Sequence, residues 1–210
     1  MLDIVSPNDR RRIEEFLRSY VDSPFALRAD GRRWELAASP ITPEMVLLHE
    51  RDLGVVLPPL FRAYLTSSCV PSADFRLGQL PSITLEKPME WVKRWSIERK
   101  LMDFYQKNIH LVPFTQGSAD ISDLCFDVSR PSRLNDYPIV QIPHQFYEDD
   151  PALLDESDYA RLTAFGSFSD YMEFLNDWLV YKTLGAEGDF FDWLRRAHKI
   201  LPCQYYLDFL

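Results

Sequence analysis

Two short helices meeting at a glycine set the frame for this chain. In the run ITPEMVLLHERDLGVVLPPLFRAYLTSS, residues 41–68, Thr42 stands as an N-cap and Pro43 follows at the first helical position, where a missing N–H costs nothing. Met45, Leu48 and Asp52 fall on one helical line, flanked by Val46 and Leu53, which turns His49, Glu50 and Arg51 outward. Gly54 suits the left-handed residue that closes a helix. Val55, Val56 and Leu57 form an apolar link. Pro58 and Pro59 then start a second helix, with Phe61, Tyr64 and Leu65 at three- and four-residue spacing.

Around this pair the pattern alternates between helical and extended. Residues 9–21 read as an amphipathic helix with Ile13, Phe16, Leu17 and Tyr20 on its apolar face. Asp30-Gly31 marks a hairpin turn within 25–37. Ile83, Thr84 and Leu85 suggest a short strand. A helix is expected from Pro88 to about Lys107, with Trp91, Trp95 and Met102 packing into the core. Three strands follow at 110–114, 124–128 and 138–142, separated by turns at 116–117 and 132–136. Ser167 caps a helix through Phe168, Tyr171, Met172, Leu175 and Leu179, and Asp189 caps a last one through Phe190, Trp193, Leu194 and Ala197. Helices early and late with strands between them imply an α+β fold, with a small, mostly antiparallel sheet from 109–145 and helices around it.

The first run also resembles a known pattern. Glu50, Leu53-Gly54, Val55, Leu57-Pro58, Phe61, Arg62, Tyr64 and Leu65 match the opening motif of the SUKH superfamily, which includes cell-wall-assembly regulators and bacterial immunity proteins. Where that family usually continues with Asn-Gly, this chain has Thr66-Ser67-Ser68. Ser167, Phe168, Tyr171, Phe174 and Leu175 resemble its closing helix, and the strand order between is similar. The resemblance implies a domain over 41–181. It leaves 1–40 as an N-terminal extension and 182–210 as a C-terminal helical one, each too short for a core of its own and expected to pack on the domain.

The chemistry-bearing residues make no catalytic motif. His49, His110, His144 and His198 stand in no paired spacing, and Asp120, Asp123 and Asp127 lack the calcium-loop pattern, so Asp120 and Asp123 read as turn-forming side chains. Cys69, Cys125 and Cys203 are too far apart for a metal or redox motif and read as reduced thiols of a cytoplasmic protein. With seven glycines there is little material for a phosphate-cradling loop. Neither a cofactor nor a metal is expected, and the chain reads as a non-enzyme. No apolar run is long enough to cross a bilayer.

Charge points to a partner. The formal net charge is −9, and residues 111–210 hold seventeen acids against seven bases. Such a chain repels phosphate backbones and attracts basic proteins. Arg10, Arg11 and Arg12 could touch a phosphate, but Glu14 and Glu15 follow at once. The acids concentrate in EDDPALLDESD, residues 148–158. Taken alone, such a run is a solvated loop. The SUKH resemblance implies an immunity protein that neutralises a toxin, often a nuclease with a basic groove, or alternatively an intracellular scaffold or regulator. The expected partner-binding face is then Glu148, Asp149, Asp150, Asp155, Glu156 and Asp158, with Phe146 and Tyr147 as its apolar anchor.

Overall fold

The computed structural model describes residues 4–23, 31–70, 80–81, 83–116, 122–132, 135–143, 146, 153–185, 190 and 192–193. The fold is α+β. Helix α1 (Pro7–Asp22) precedes β1 (Ala37–Ala38), α2 (Pro43–Leu53), α3 (Pro59–Thr66) and β2 (Ser68–Cys69). Next come α4 (Glu90–Lys93), α5 (Asp103–Lys107), β3 (Leu111–Gln116), β4 (Ser122–Asp127), β5 (Ile139–Pro143), α6 (Glu156–Leu162), β6 (Thr163–Phe165) and α7 (Phe168–Thr183). Strands β3, β4, β5 and β6 form an antiparallel sheet in chain order, and β1 pairs with β2 in a two-stranded one. Pro113 lies in β3, an edge strand, where its missing N–H is tolerated, and a bulge follows it.

Every described residue of β4 and β5 is buried, because helices cover both faces of the sheet. One face carries Val112, Phe114, Leu124, Phe126 and Ile139 into the larger core with α1, α3 and α7. The other carries Leu111, Cys125, Val140 and Ile142 into a smaller core with Phe104, Tyr105, Leu154 and Leu162. The larger core centres on Phe61, whose ring lies 5.6, 5.3 and 5.2 Å from Phe114, Phe126 and Phe168. Such offset and edge contacts add about 0.5–1.5 kcal/mol per pair beyond area burial. Helix α1 places Ile13, Phe16, Leu17 and Val21 in the same core. Its C-terminus has no basic residue in its last turn, and Arg33 supplies one by donating to the carbonyls of Val21, Asp22 and Ser23.

Local signals act as their chemistry dictates. Thr42 accepts from Met45 N–H, Pro43 sits in the first turn and Gly54 closes α2 at φ 71°. Ser167 accepts from Asp170 N–H at the start of α7. Asp136, expected in a polar turn, reaches further: its carboxylate accepts from the backbone N–H groups of Tyr137, Phe168 and Ser169, so it caps α7 from outside the helix.

Several expectations are corrected, among them the core placement of Trp91 and Trp95, which lie half-buried outside both cores. The buried face of α2 is Val46, His49 and Glu50, while Leu47 and Leu48 are exposed. Glu50 Oε1 accepts from Leu57 N–H at 2.6 Å and from Arg62 Nε at 2.7 Å, and Oε2 accepts from Arg62 Nη2 at 2.8 Å. This pair locks the corner between α2 and α3, and an acid placed outward by its neighbours is inward because Arg62 meets it. Secondly, 88–107 is not one helix. After α4 it widens into a π-type turn (Arg94–Glu98), tightens into a 3-10 turn (Arg99–Leu101) and breaks at Met102, where ψ is 142°. Thirdly, Asp123 is a strand residue, 1% exposed, bound by Arg99 and by the Tyr105 hydroxyl. Fourthly, residues 83–85 form no strand, and Leu85 is exposed. The hairpin expected within 25–37 falls largely outside the described residues, as do Asp120, His144, His198, Cys203 and nearly all of the last helix. Phe190 and Trp193 are described, and they pack on Tyr181 of α7.

Buried His49 carries a pH signature. Ser96 Oγ donates its one proton to Val92 O at 2.6 Å and lies 3.0 Å from His49 Nε2, so Nε2 carries the ring proton and Nδ1 is bare. Nδ1 is buried and has no partner among the described residues. Burial, reinforced by nearby Lys93 and opposed by Asp52, lowers the His49 pKa to about 4. The unfolded chain therefore binds a proton near pH 6.5 that the fold refuses until about pH 4. Stability from this group is complete above the unfolded value and is lost as pH falls through that window, by on the order of 3 kcal/mol. His49→Gln keeps a donor for Ser96 and does not titrate. Urea unfolding at pH 7 and pH 4.5 should show a smaller pH-dependent loss in the variant than in the wild type. Equal losses would remove His49 from the explanation.

Candidate functional site

The described part of the expected acidic face is a hydrogen-bonded ledge where α6 packs over β5 and the smaller core. Asp155 is the N-cap of α6: its Oδ1 accepts from Ser157 N–H at 2.8 Å and Asp158 N–H at 3.0 Å. Asp158 Oδ2 accepts in turn from Asp155 N–H at 3.2 Å, completing a capping box. Two of the expected binding carboxylates thus also build the helix they sit on, and Asp155 and Glu156 remain exposed while Asp158 is half-buried.

Asn108 fastens this turn to the body of the protein. Fully buried at the end of α5, it accepts from Leu154 N–H at 3.0 Å and donates to Phe104 O at 3.0 Å. Leu154 enters the smaller core beside Leu162. Behind α6, the Tyr159 hydroxyl makes a short hydrogen bond with His110 Nε2, and the Arg130 guanidinium lies 5.6 Å over the Tyr159 ring. Arg130 itself is held by Asp127, at 2.5 Å from Nε to Oδ2, and by Thr163 Oγ1. Burial, with Asp127 adding to it, raises the Tyr159 pKa, so this phenol is a structural donor and not a base.

Of the two aromatic residues expected to anchor this face, Phe146 is among the described residues. Phe146 is half-buried and sets its ring edge-on to Phe104, 6.4 Å between centroids, at the margin of the smaller core. Ile109 and Leu153, which flank the Asn108–Leu154 hydrogen bond in sequence, are each 70% exposed. Nothing in their own neighbourhoods marks them as surface residues. Only the pairing of Asn108 with a backbone group 46 positions away puts them on one ledge. Tyr147, Glu148, Asp149 and Asp150 lie outside the described residues.

Two other ionisable sites among the described residues are closed on themselves. Asp123 is saturated by Arg99 and Tyr105, and burial pushes the Cys125 thiol beside it well above the usual range. Burial likewise raises Cys69, to about 11. Among the described residues, no group of three or more His, Cys, Asp or Glu side chains could hold a metal ion, and no helix is long and apolar enough to cross a membrane. No family model matches this chain, and no curated protein does. What the ledge offers is a surface: carboxylates fixed by their own helix, with two exposed aliphatic side chains beside them.

Proposed function

We propose that this chain is a SUKH-type binding protein that acts without chemistry, as an immunity protein occupying the basic groove of a nuclease-type toxin. The observation that carries the reading is the anchored ledge. Asn108 and the Asp155–Asp158 capping box hold the acidic turn in one geometry, so little conformational entropy is lost when a partner docks. Ile109 and Leu153 supply the apolar contact that charge alone lacks. The excess of acids over 111–210 steers a basic partner towards it.

The test looks for a toxin domain encoded beside this chain's gene and uses it as the partner; absence of such a domain from that neighbourhood would count against the immunity reading. Asp155→Asn retains an N-cap acceptor, so combining it with Glu156→Gln, Asp149→Asn and Asp150→Asn removes charge without removing the cap. The on-rate should fall about tenfold at low salt and lose most of its salt dependence. Leu153→Ser with Ile109→Ser should instead raise the off-rate. Unchanged on-rates and salt dependence in a folded quadruple variant would place the partner on another face.

A further inference from the structure

The broken segment after α4 carries a second surface, of opposite sign. Trp91 and Trp95, expected in the core, are half-buried and belong to neither core. Each is covered by a cation instead: the Arg94 guanidinium lies 5.1 Å over Trp91, and that of Arg99 lies 5.7 Å over Trp95. Arg99 is fixed in place by its two hydrogen bonds to Asp123, at 2.7 and 3.2 Å. The backbone between them is the π-type turn, a distortion that recurs at functional sites. Residues 87–100 hold five bases against two acids, in a chain whose net charge is −9. Leu85 and Leu101, at the two ends of this segment, are 59% and 69% exposed.

We propose that this ladder of tryptophans and arginines is a docking surface for a short acidic protein segment, one that carries carboxylates and an apolar side chain. A guanidinium has five N–H donors, and one held over an indole keeps donors for a planar two-oxygen acceptor, which a carboxylate matches. Arg94 is exposed and has no carboxylate within ion-pair distance among the described residues, so its donors are available. Lys93, also exposed, adds a second positive charge beside it. Leu85 and Leu101 extend the apolar contact past the aromatic pair. A nucleic-acid strand fits less well, because its many phosphates would feel the negative field of the whole chain, whereas a short peptide engages only the local patch.

The experiment measures fluorescence anisotropy of a labelled ten-residue peptide of alternating Glu and Leu against the full chain, beside a Gln–Leu peptide and a labelled oligo-dT of ten nucleotides. The acidic peptide should bind saturably, and Arg94→Gln should weaken it about tenfold. Arg94→Lys should recover only part of that loss, since it restores charge but not the fork. Circular dichroism should show both variants folded, because Arg94 is exposed. Absence of saturable binding, equal binding of the Gln–Leu peptide, indifference to Arg94→Gln, or tighter binding of oligo-dT would each overturn the proposal. The last result would assign the surface to single-stranded nucleic acid.

Discussion

Glu50→Ala should destabilise the protein by about 3–5 kcal/mol, as expected when one partner of a buried pair is removed. Glu50 is 7% exposed and satisfies three donors at once, two from Arg62 and the backbone N–H of Leu57. The alanine variant leaves a guanidinium whose side chain is 17% exposed without its counter-charge, and a buried N–H without an acceptor. Two features separate this from an ordinary surface pair. The contact is bidentate, and it closes the corner on which α3 turns into the core. Replacing Glu50 and Arg62 together by Met should recover a large part of the loss, because no charge is then left unpaired, although the Leu57 N–H stays unmet. Urea unfolding of the two single variants and the double variant measures the cycle. A loss below about 1 kcal/mol for Glu50→Ala would show that the pair behaves as an exposed one.

Phe61→Ala should cost about 3–5 kcal/mol, the range for removing a large buried aromatic side chain. Phe61 is 1% exposed and contacts rings from α3, β3, β4 and α7, so no single element can move in to fill the space it leaves. Leu48→Ala is the contrast. Leu48 is 49% exposed on the outward side of α2, and its loss should stay within about 0.5 kcal/mol. Denaturation midpoints for both variants test the core and the orientation of α2 together. A large loss at Leu48 would mean that α2 presents the apolar face its periodicity suggests.

That orientation shows where a sequence stops speaking. Thr42, Pro43, Gly54 and Ser167 were legible because a cap is satisfied within three or four residues of itself. The three strands within 110–142 were legible because each is a short apolar run bounded by turn residues. The inward face of α2 was not. His49 and Glu50 are polar, and what makes them buried is Ser96 and Arg62, which the fold brings to them. Asp123 misled for the same reason, since its counter-charge Arg99 stands 24 residues earlier. Three-residue β6 is too short for any alternation to show. The two tryptophans are a different case. Arg94 follows Trp91 by three positions and Arg99 follows Trp95 by four, so the stacking partners were already at helical spacing, but the aromatic residues alone were read as core. At the ledge, the acids were visible as a run, while Ile109 and Leu153 needed the Asn108 hydrogen bond to bring them together.

The ring cluster around Phe61 also fixes an order in time. In sheet β3-β4-β5-β6 each strand meets one already made, the longest connection being the one between β5 and β6 that holds α6. Phe61 draws its partners from Tyr64, Phe114, Phe126 and Phe168, one close by and three far along the chain. As the polypeptide emerges from its N-terminus, α1 and α3 can meet early, yet the side of Phe61 that Phe168 covers stays open until every strand of the four-stranded sheet has been made. During synthesis, then, the apolar face of α3 waits for α7 to arrive, and exposed aromatic surface of that kind is what a chaperone meets in such an interval.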